Sequence, residues 1–212
     1  MSELLLDVQS APATPSAGQS IIWVDSTSKK WQSKDDSGSV DTLGDIENAS
    51  TANQTGFAAD TYLVGSSIAI PSTLLKAKTL YRLVFDMVKT AAGTAAFAIN
   101  VRVGTAGTTA DAARLTFTFG AGTAAIDTGT FEILAHIRNI GASAVLVGIC
   151  RCTHHLAATG LISTGASGTG ILTVTSAAFD STVANLIIGA SVNGGASFSG
   201  TNTLVQSELK GI

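Results

Sequence analysis

The chain is short of charge, of aromatic rings, of cysteine and of long apolar runs, and each shortage closes off a class of protein. Charged residues make up 13% of the 212 positions, with a formal net charge of -3 and a pI near 5.5. That balance leaves no basic stripe for a phosphate backbone or for anionic lipid, so no nucleic-acid partner is expected. No stretch reaches the ~18 consecutive apolar residues of a membrane-spanning helix, so no membrane insertion is expected. Met1-Ser-Glu-Leu4-Leu5-Leu6-Asp7 has neither the basic start nor the long apolar run of a signal peptide, which points to synthesis and assembly in a cytoplasm. Two cysteines cannot build a disulfide framework, and in a reducing compartment Cys150 and Cys152 are expected to stay thiols. The sequons Asn48-Ala-Ser50 and Asn53-Gln-Thr55 then read as chance matches. Lys and Glu are few and no long 3.6-residue period occurs, which excludes a helical bundle.

The chain does have 22 glycines, abundant Thr, Ala and Ser, and only 3 prolines. Small β-compatible residues broken by Gly-rich turns describe an all-β chain with many short connections. Residues 1–20 read as an extended arm with an apolar tip at Leu4, Leu5, Leu6 and Val8. Residues 21–43 read as a small β-hairpin unit with strands at Ile21 to Val24, Lys30 to Lys34 and Val40 to Leu43. Trp23 and Trp31 are expected on facing strands, packed across the hairpin. A unit so small is marginal alone and needs a partner surface. Leu4, Leu5, Leu6, Val8, Trp23 and Trp31 are therefore the candidate attachment residues. Residues 44–60, polar and rich in Asn, Ala, Thr and Ser, read as a linker.

From residue 61 to residue 212 the hydrophobic period is two. Tyr81, Leu83, Phe85 and Met87 share one face, and Phe97, Ile99, Val101 and Val103 another. Leu115, Phe117 and Phe119 alternate with threonines; Phe131, Ile133 and Ile137 alternate with Glu132, His136 and Arg138. Val145, Val147 and Ile149 continue the series, followed by apolar stretches at 171–174, 186–192 and 198–209. Alternation of this kind marks antiparallel sheets packed face to face, and predicts a jelly-roll-like β-sandwich.

Nothing in the sequence assembles a catalytic, cofactor or metal site. Cys150, Cys152 and His154 share one strand face, but alternate residues on a strand sit roughly 6.6–6.8 Å apart, too far for tight tetrahedral ligation or a disulfide. They read as buried thiols near a strand end, with His154 and His155 at the turn. A Cys-His nucleophile lacks an evident third group to orient it. Gly104-Thr-Ala-Gly107-Thr-Thr-Ala-Asp111 lacks the Gly-Lys-Ser/Thr ending of a phosphate loop and reads as a hairpin loop. Asp86, Asp111, Asp127 and Asp180 form neither a calcium loop nor a general-acid/general-base spacing. Trp23, Trp31, Tyr62 and Tyr81 could stack on sugars, but core or interface packing is the better use of so few aromatics.

Two segments carry a family resemblance. Thr14-Pro-Ser-Ala-Gly18, the strand around Trp23, and Lys30-Trp31-Gln-Ser-Lys-Asp-Asp-Ser-Gly38 resemble a short unit near the N-terminus of tailed-bacteriophage fibre and head-decoration proteins. Asp60-Thr-Tyr-Leu-Val-Gly65, Lys78-Thr-Leu-Tyr-Arg82, the segment from Phe85 to Ala96, Val101-Arg-Val-Gly-Thr-Ala-Gly107 and Thr153-His-His-Leu156 resemble the β-sandwich domains of phage head fibres, head spikes and tail appendages. The resemblance implies a non-enzymatic structural protein of the virion, a capsid decoration or short head fibre anchored by its N-terminus. It implies a homotrimer, with the major capsid protein or another virion protein as partner. The alternative it implies is a tail-fibre or receptor-binding module whose loops recognise a host surface glycan.

Overall fold

The computed structural model describes residues 8–27, 31–38, 40–42, 46–70, 75–90, 92–155, 160–165, 168 and 170–211. The chain divides into two compact units, residues 1–46 and 47–212. The described residues contain strands and no helix.

The first unit is a four-stranded sheet in the order β1 (Val8–Gln9), β2 (Ile21–Asp25), β3 (Trp31–Lys34), β4 (Val40–Thr42). β1 runs parallel to β2, and the other pairs are antiparallel. β-branched Ile21, Ile22 and Val24 favour the extended backbone of β2. Asp35 closes the β3–β4 turn: its carboxylate accepts the Ser37 amide at 2.9 Å, and its carbonyl accepts the Gly38 amide at 3.1 Å. The arm is tied to this sheet. Lys34 Nζ donates to the Pro12 carbonyl at 2.9 Å, and the Gly18 amide donates to Asp36 Oδ2 at 2.6 Å.

The two tryptophans do not pack against each other as the sequence predicts. The register pairs Trp23 with Gln32 and Val24 with Trp31. An offset of one residue along a strand is a change of face, so Trp23 is buried while Trp31 stands 46% exposed on the other side.

The second unit is the antiparallel β-sandwich that the alternation predicts. One sheet has the order β13 (Ile171–Thr175), β12 (Val145–His154), β11 (Ile126–Asn139), β8 (Leu80–Thr90), β16 (Val205–Lys210), β5 (Ile46–Ser50), with β15 (Gly200–Thr201) also on β8. The other has the order β10 (Ala112–Ala121), β9 (Ala96–Gly104), β14 (Leu186–Asn193), β6 (Thr61–Tyr62), with β7 (Ile68–Ile70) also on β14. The ladders β8–β11, β11–β12, β8–β16, β9–β10 and β9–β14 are all antiparallel.

Four phenylalanines join the sheets. Phe131 of β11 stacks on Phe85 of β8 at 4.9 Å and on Phe97 of the opposite sheet at 5.0 Å; Phe119 meets it edge-on at 5.5 Å. Around them Leu83, Met87, Ile99, Val101, Leu115 and Phe117 are fully buried. The sheets close to contact because β12 carries Gly148 at the core: a Cβ there would lie 2.5 Å from Leu115 Cδ1 and 3.0 Å from Phe117 Cζ.

Two elements differ from the sequence-based expectation. In β12 Cys150 and Cys152 are buried as expected, with Leu146 and Gly148 on the same core-facing side, but Val145, Val147 and Ile149, placed in the alternating apolar series, face outward. Both faces of this strand are apolar, so periodicity alone cannot choose between them. The expected linker is also shorter than residues 44–60. β5 is an edge strand beside β16, Gln54 bridges to Asn202 through main-chain bonds of 2.9 Å, and Phe57 is 1% exposed. A polar segment adds to a sheet edge as readily as an apolar one, because main-chain hydrogen bonds rather than side chains hold it there.

Candidate docking surface

The apolar face of the N-terminal sheet follows from its register. Val8 pairs with Val24, and Val24 with Trp31, so these three residues form one row across β1, β2 and β3. Ile22 lies two positions along β2, on the same face. Val8 is 51% exposed, Ile22 53% and Trp31 46%. Three large apolar side chains thus stand open on one side of a sheet of a few short strands. Of the candidate attachment residues, the structure thus brings Val8 and Trp31 together. Trp23 faces the other way, buried, with no hydrogen-bond partner for its indole Nε1 among the described residues. Leu4, Leu5 and Leu6 lie outside the described residues. Ile22 and Val24 complete the row. Alternation within β2 signals them, but only the strand register places them beside Val8 and Trp31.

The thiol face of β12 is a second cluster. Cys150 and Cys152 are buried free thiols. Burial raises the Cys150 thiol pKa well above its usual range, with Cys152 adding to it; burial and nearby Asp127 push Cys152 up to about 12. His154, at the end of the same strand, sets Nδ1 2.9 Å from Asp127 Oδ2. Asp127 also accepts the amides of Thr128 at 2.8 Å and Leu161 at 2.9 Å. The sequence offers no third group for a Cys-His pair, whereas the fold supplies Asp127 from β11. Even so, thiols held protonated make poor nucleophiles, and the carboxylate's role is to pin the chain at Leu161 against the sandwich. Among the described residues no set of three or more His, Cys, Asp or Glu side chains could hold a metal ion. We expect a disulfide-exchange reagent to label neither cysteine in the native protein at neutral pH and both after denaturation. Fast labelling of the native protein would mean that this end of the sandwich opens.

The outer face of the seven-stranded sheet carries a charge network. Glu132 accepts Arg82 Nε at 3.0 Å and also pairs with Arg151, and Arg82 approaches Glu208 at 3.6 Å. Burial raises the Glu132 pKa, but hydrogen bonds from Arg151 and Arg82 outweigh that and hold it below the ordinary value. Glu132 is thus held between two arginines, and Glu208 also pairs with Lys210 at 2.9 Å.

No protein-family model matches the chain, and no curated protein matches it.

Proposed function

We propose that the chain is a structural protein of a tailed-phage particle, a capsid decoration or short head fibre whose N-terminal unit docks on another virion protein. The observation that carries this reading is the exposed row Val8–Val24–Trp31, with Ile22 beside it, on a compact unit distinct from the sandwich. The resemblance of residues 14–38 to phage appendage starts supports the same assignment. Tryptophan is among the residues most enriched at the energetic centres of protein interfaces. Among the described residues β1 is the last strand on its side of the sheet, and an outer strand edge offers main-chain groups to a partner strand. Trimer formation belongs to this proposal as the symmetry that would present three docking units together.

Deletion separates docking from folding. The cut belongs before Glu47 rather than at Thr61, because β5 and Phe57 are parts of the sandwich unit. A chain beginning at Glu47 should show the sandwich's thermal transition and its sedimentation behaviour, and should not join particles that lack the protein. The full chain added to the same particles should join them. Equal decoration by both would place docking on the sandwich and sink the assignment.

A further inference from the structure

An open strand edge is a row of unpaired amides and carbonyls, which proteins ordinarily blunt with short strands, charge, proline or bulges. Among the described residues the sandwich has four sheet edges, and three are blunted in these ways. On the five-stranded sheet, β6 and β7 at one edge have two and three residues. At the other edge β10 carries Arg114 and is broken by two register shifts. Its far end is already taken: the Gly120 amide donates to the Thr164 carbonyl at 2.9 Å, and Phe119 bridges to Gly165. On the seven-stranded sheet, β5 carries the exposed Glu47, and its Asn48 Nδ2 donates to the Ser67 carbonyl at 2.7 Å.

The fourth edge, β13, has none of these devices. Ile171–Thr175 pairs with Val147–Arg151 of β12 residue for residue, without a bulge. Its sequence, Ile171-Leu172-Thr173-Val174-Thr175, contains no charge and no proline, and four of the five residues are β-branched. Among the described residues no strand lies on its outer side, so the main-chain groups that alternate away from β12 have no strand to bond there. The side chains repeat the pattern. Ile171 is 57% exposed, and Ile149, directly opposite Thr173, is 36% exposed. Leu172 and Val174 face the core side yet stay half-buried, whereas their partners Cys150 and Gly148 on β12 are buried.

We infer that β13 pairs antiparallel with β13 of a second copy, across a two-fold axis at Thr173, so that two seven-stranded sheets run on as one. The strand is its own complement. Antiparallel pairing about Thr173 sets Thr173 against Thr173, and Ile171 against Thr175 of the second copy, so β-branched side chains meet on the outer face. On the inner face Leu172 meets Val174 of the second copy, which covers the two apolar residues left half-open. No like charges face each other at the seam. The nearest charge is Arg151, one strand back and held by Glu132. The strand spacings put the two arginines of such a pair roughly 20 Å apart, beyond the screening length at physiological salt. A contact of this symmetry is complete after two copies. It lies wholly on the sandwich unit and stands whether or not the N-terminal sheet docks on a particle. By itself it joins two chains; combined with a threefold arrangement it joins six.

The test is the solution mass of the full chain by sedimentation equilibrium, beside a chain carrying Ile171→Lys and Thr173→Lys together. Both positions are exposed, and near-ultraviolet circular dichroism checks that the sandwich is intact. The expected result is a wild-type mass of two or six chains, halved in the lysine variant. A wild-type mass of one or three chains, or an even mass that the two lysines leave unchanged, would overturn the proposal. If the lysine variant does not fold, Thr173→Cys decides. Cys150 and Cys152 are buried, so a short bifunctional maleimide should act at residue 173 and join two chains across the axis, and absence of that product would also overturn it.

Discussion

Phe131→Ala is expected to be the most damaging single truncation in the sandwich. Its ring is the one that touches Phe85 in its own sheet and both Phe97 and Phe119 in the other. Removing it leaves a void bounded by three rings fixed on three different strands, and none of them can swing in without leaving its own contacts. Phe→Ala changes in cores cost about 3–5 kcal/mol, and loss of the aromatic geometry places this one toward the upper end. For a unit of this size that corresponds to a melting temperature lower by about 6–20 °C. Phe85→Ala, which removes one stacking partner, should fall within the same range but below it. Thermal unfolding followed by near-ultraviolet circular dichroism checks both. A Phe131→Ala protein melting with the wild type would mean that the sheets are not joined through this cluster.

The second large effect is expected on assembly rather than stability. Trp31→Asp puts a carboxylate in the middle of the exposed row, opposite Val24. Because Trp31 is half open to solvent already, the substitution should leave both units folded. At a docking interface a central tryptophan is worth about 2–4 kcal/mol, so affinity for particles lacking the protein should fall roughly 30- to 1,000-fold. Ile22→Asp, on the same face, should act in the same direction. Trp23 is the wrong residue for this experiment, since it is buried on the opposite face and its loss would be read as misfolding. Particle binding by the Trp31→Asp chain within twofold of wild type, with an unchanged melting curve, would remove the row from the docking surface.

Which parts were legible in the sequence follows from how strongly each pattern constrains the chain. Strands with one apolar and one polar face, such as the one carrying Phe117 and Phe119 between threonines, declare both their existence and their phase. β12 declares only its existence, because Val147 and Ile149 on one side are as apolar as Leu146 and Cys150 on the other. The segment from Ile46 to Phe57 declares neither. Its strand is held by main-chain bonds to partners about 150 residues further on, and no local pattern encodes a partner so distant. The docking row was half legible. Val8 and Trp31 stand out as apolar residues without a core of their own, yet the pairing that aligns them with Val24 depends on register.

The position of β16 has a consequence for synthesis. This strand lies between β8 and β5 in the seven-stranded sheet, and Ser207 on it donates to the Gly65 carbonyl at 2.9 Å and to the Asn48 carbonyl at 3.3 Å. An interior strand is thus among the last parts of the unit to be made. While the chain grows from residue 46 to residue 210, on the order of 10–30 s at ordinary translation speeds, β5 has no strand to pair with. Once β8 has emerged, the flank that later takes β16 stays a bare edge on a strand carrying the core residues Leu83 and Phe85. A nascent or C-terminally clipped chain therefore exposes an open, strongly apolar strand to its neighbours until residue 210 has emerged.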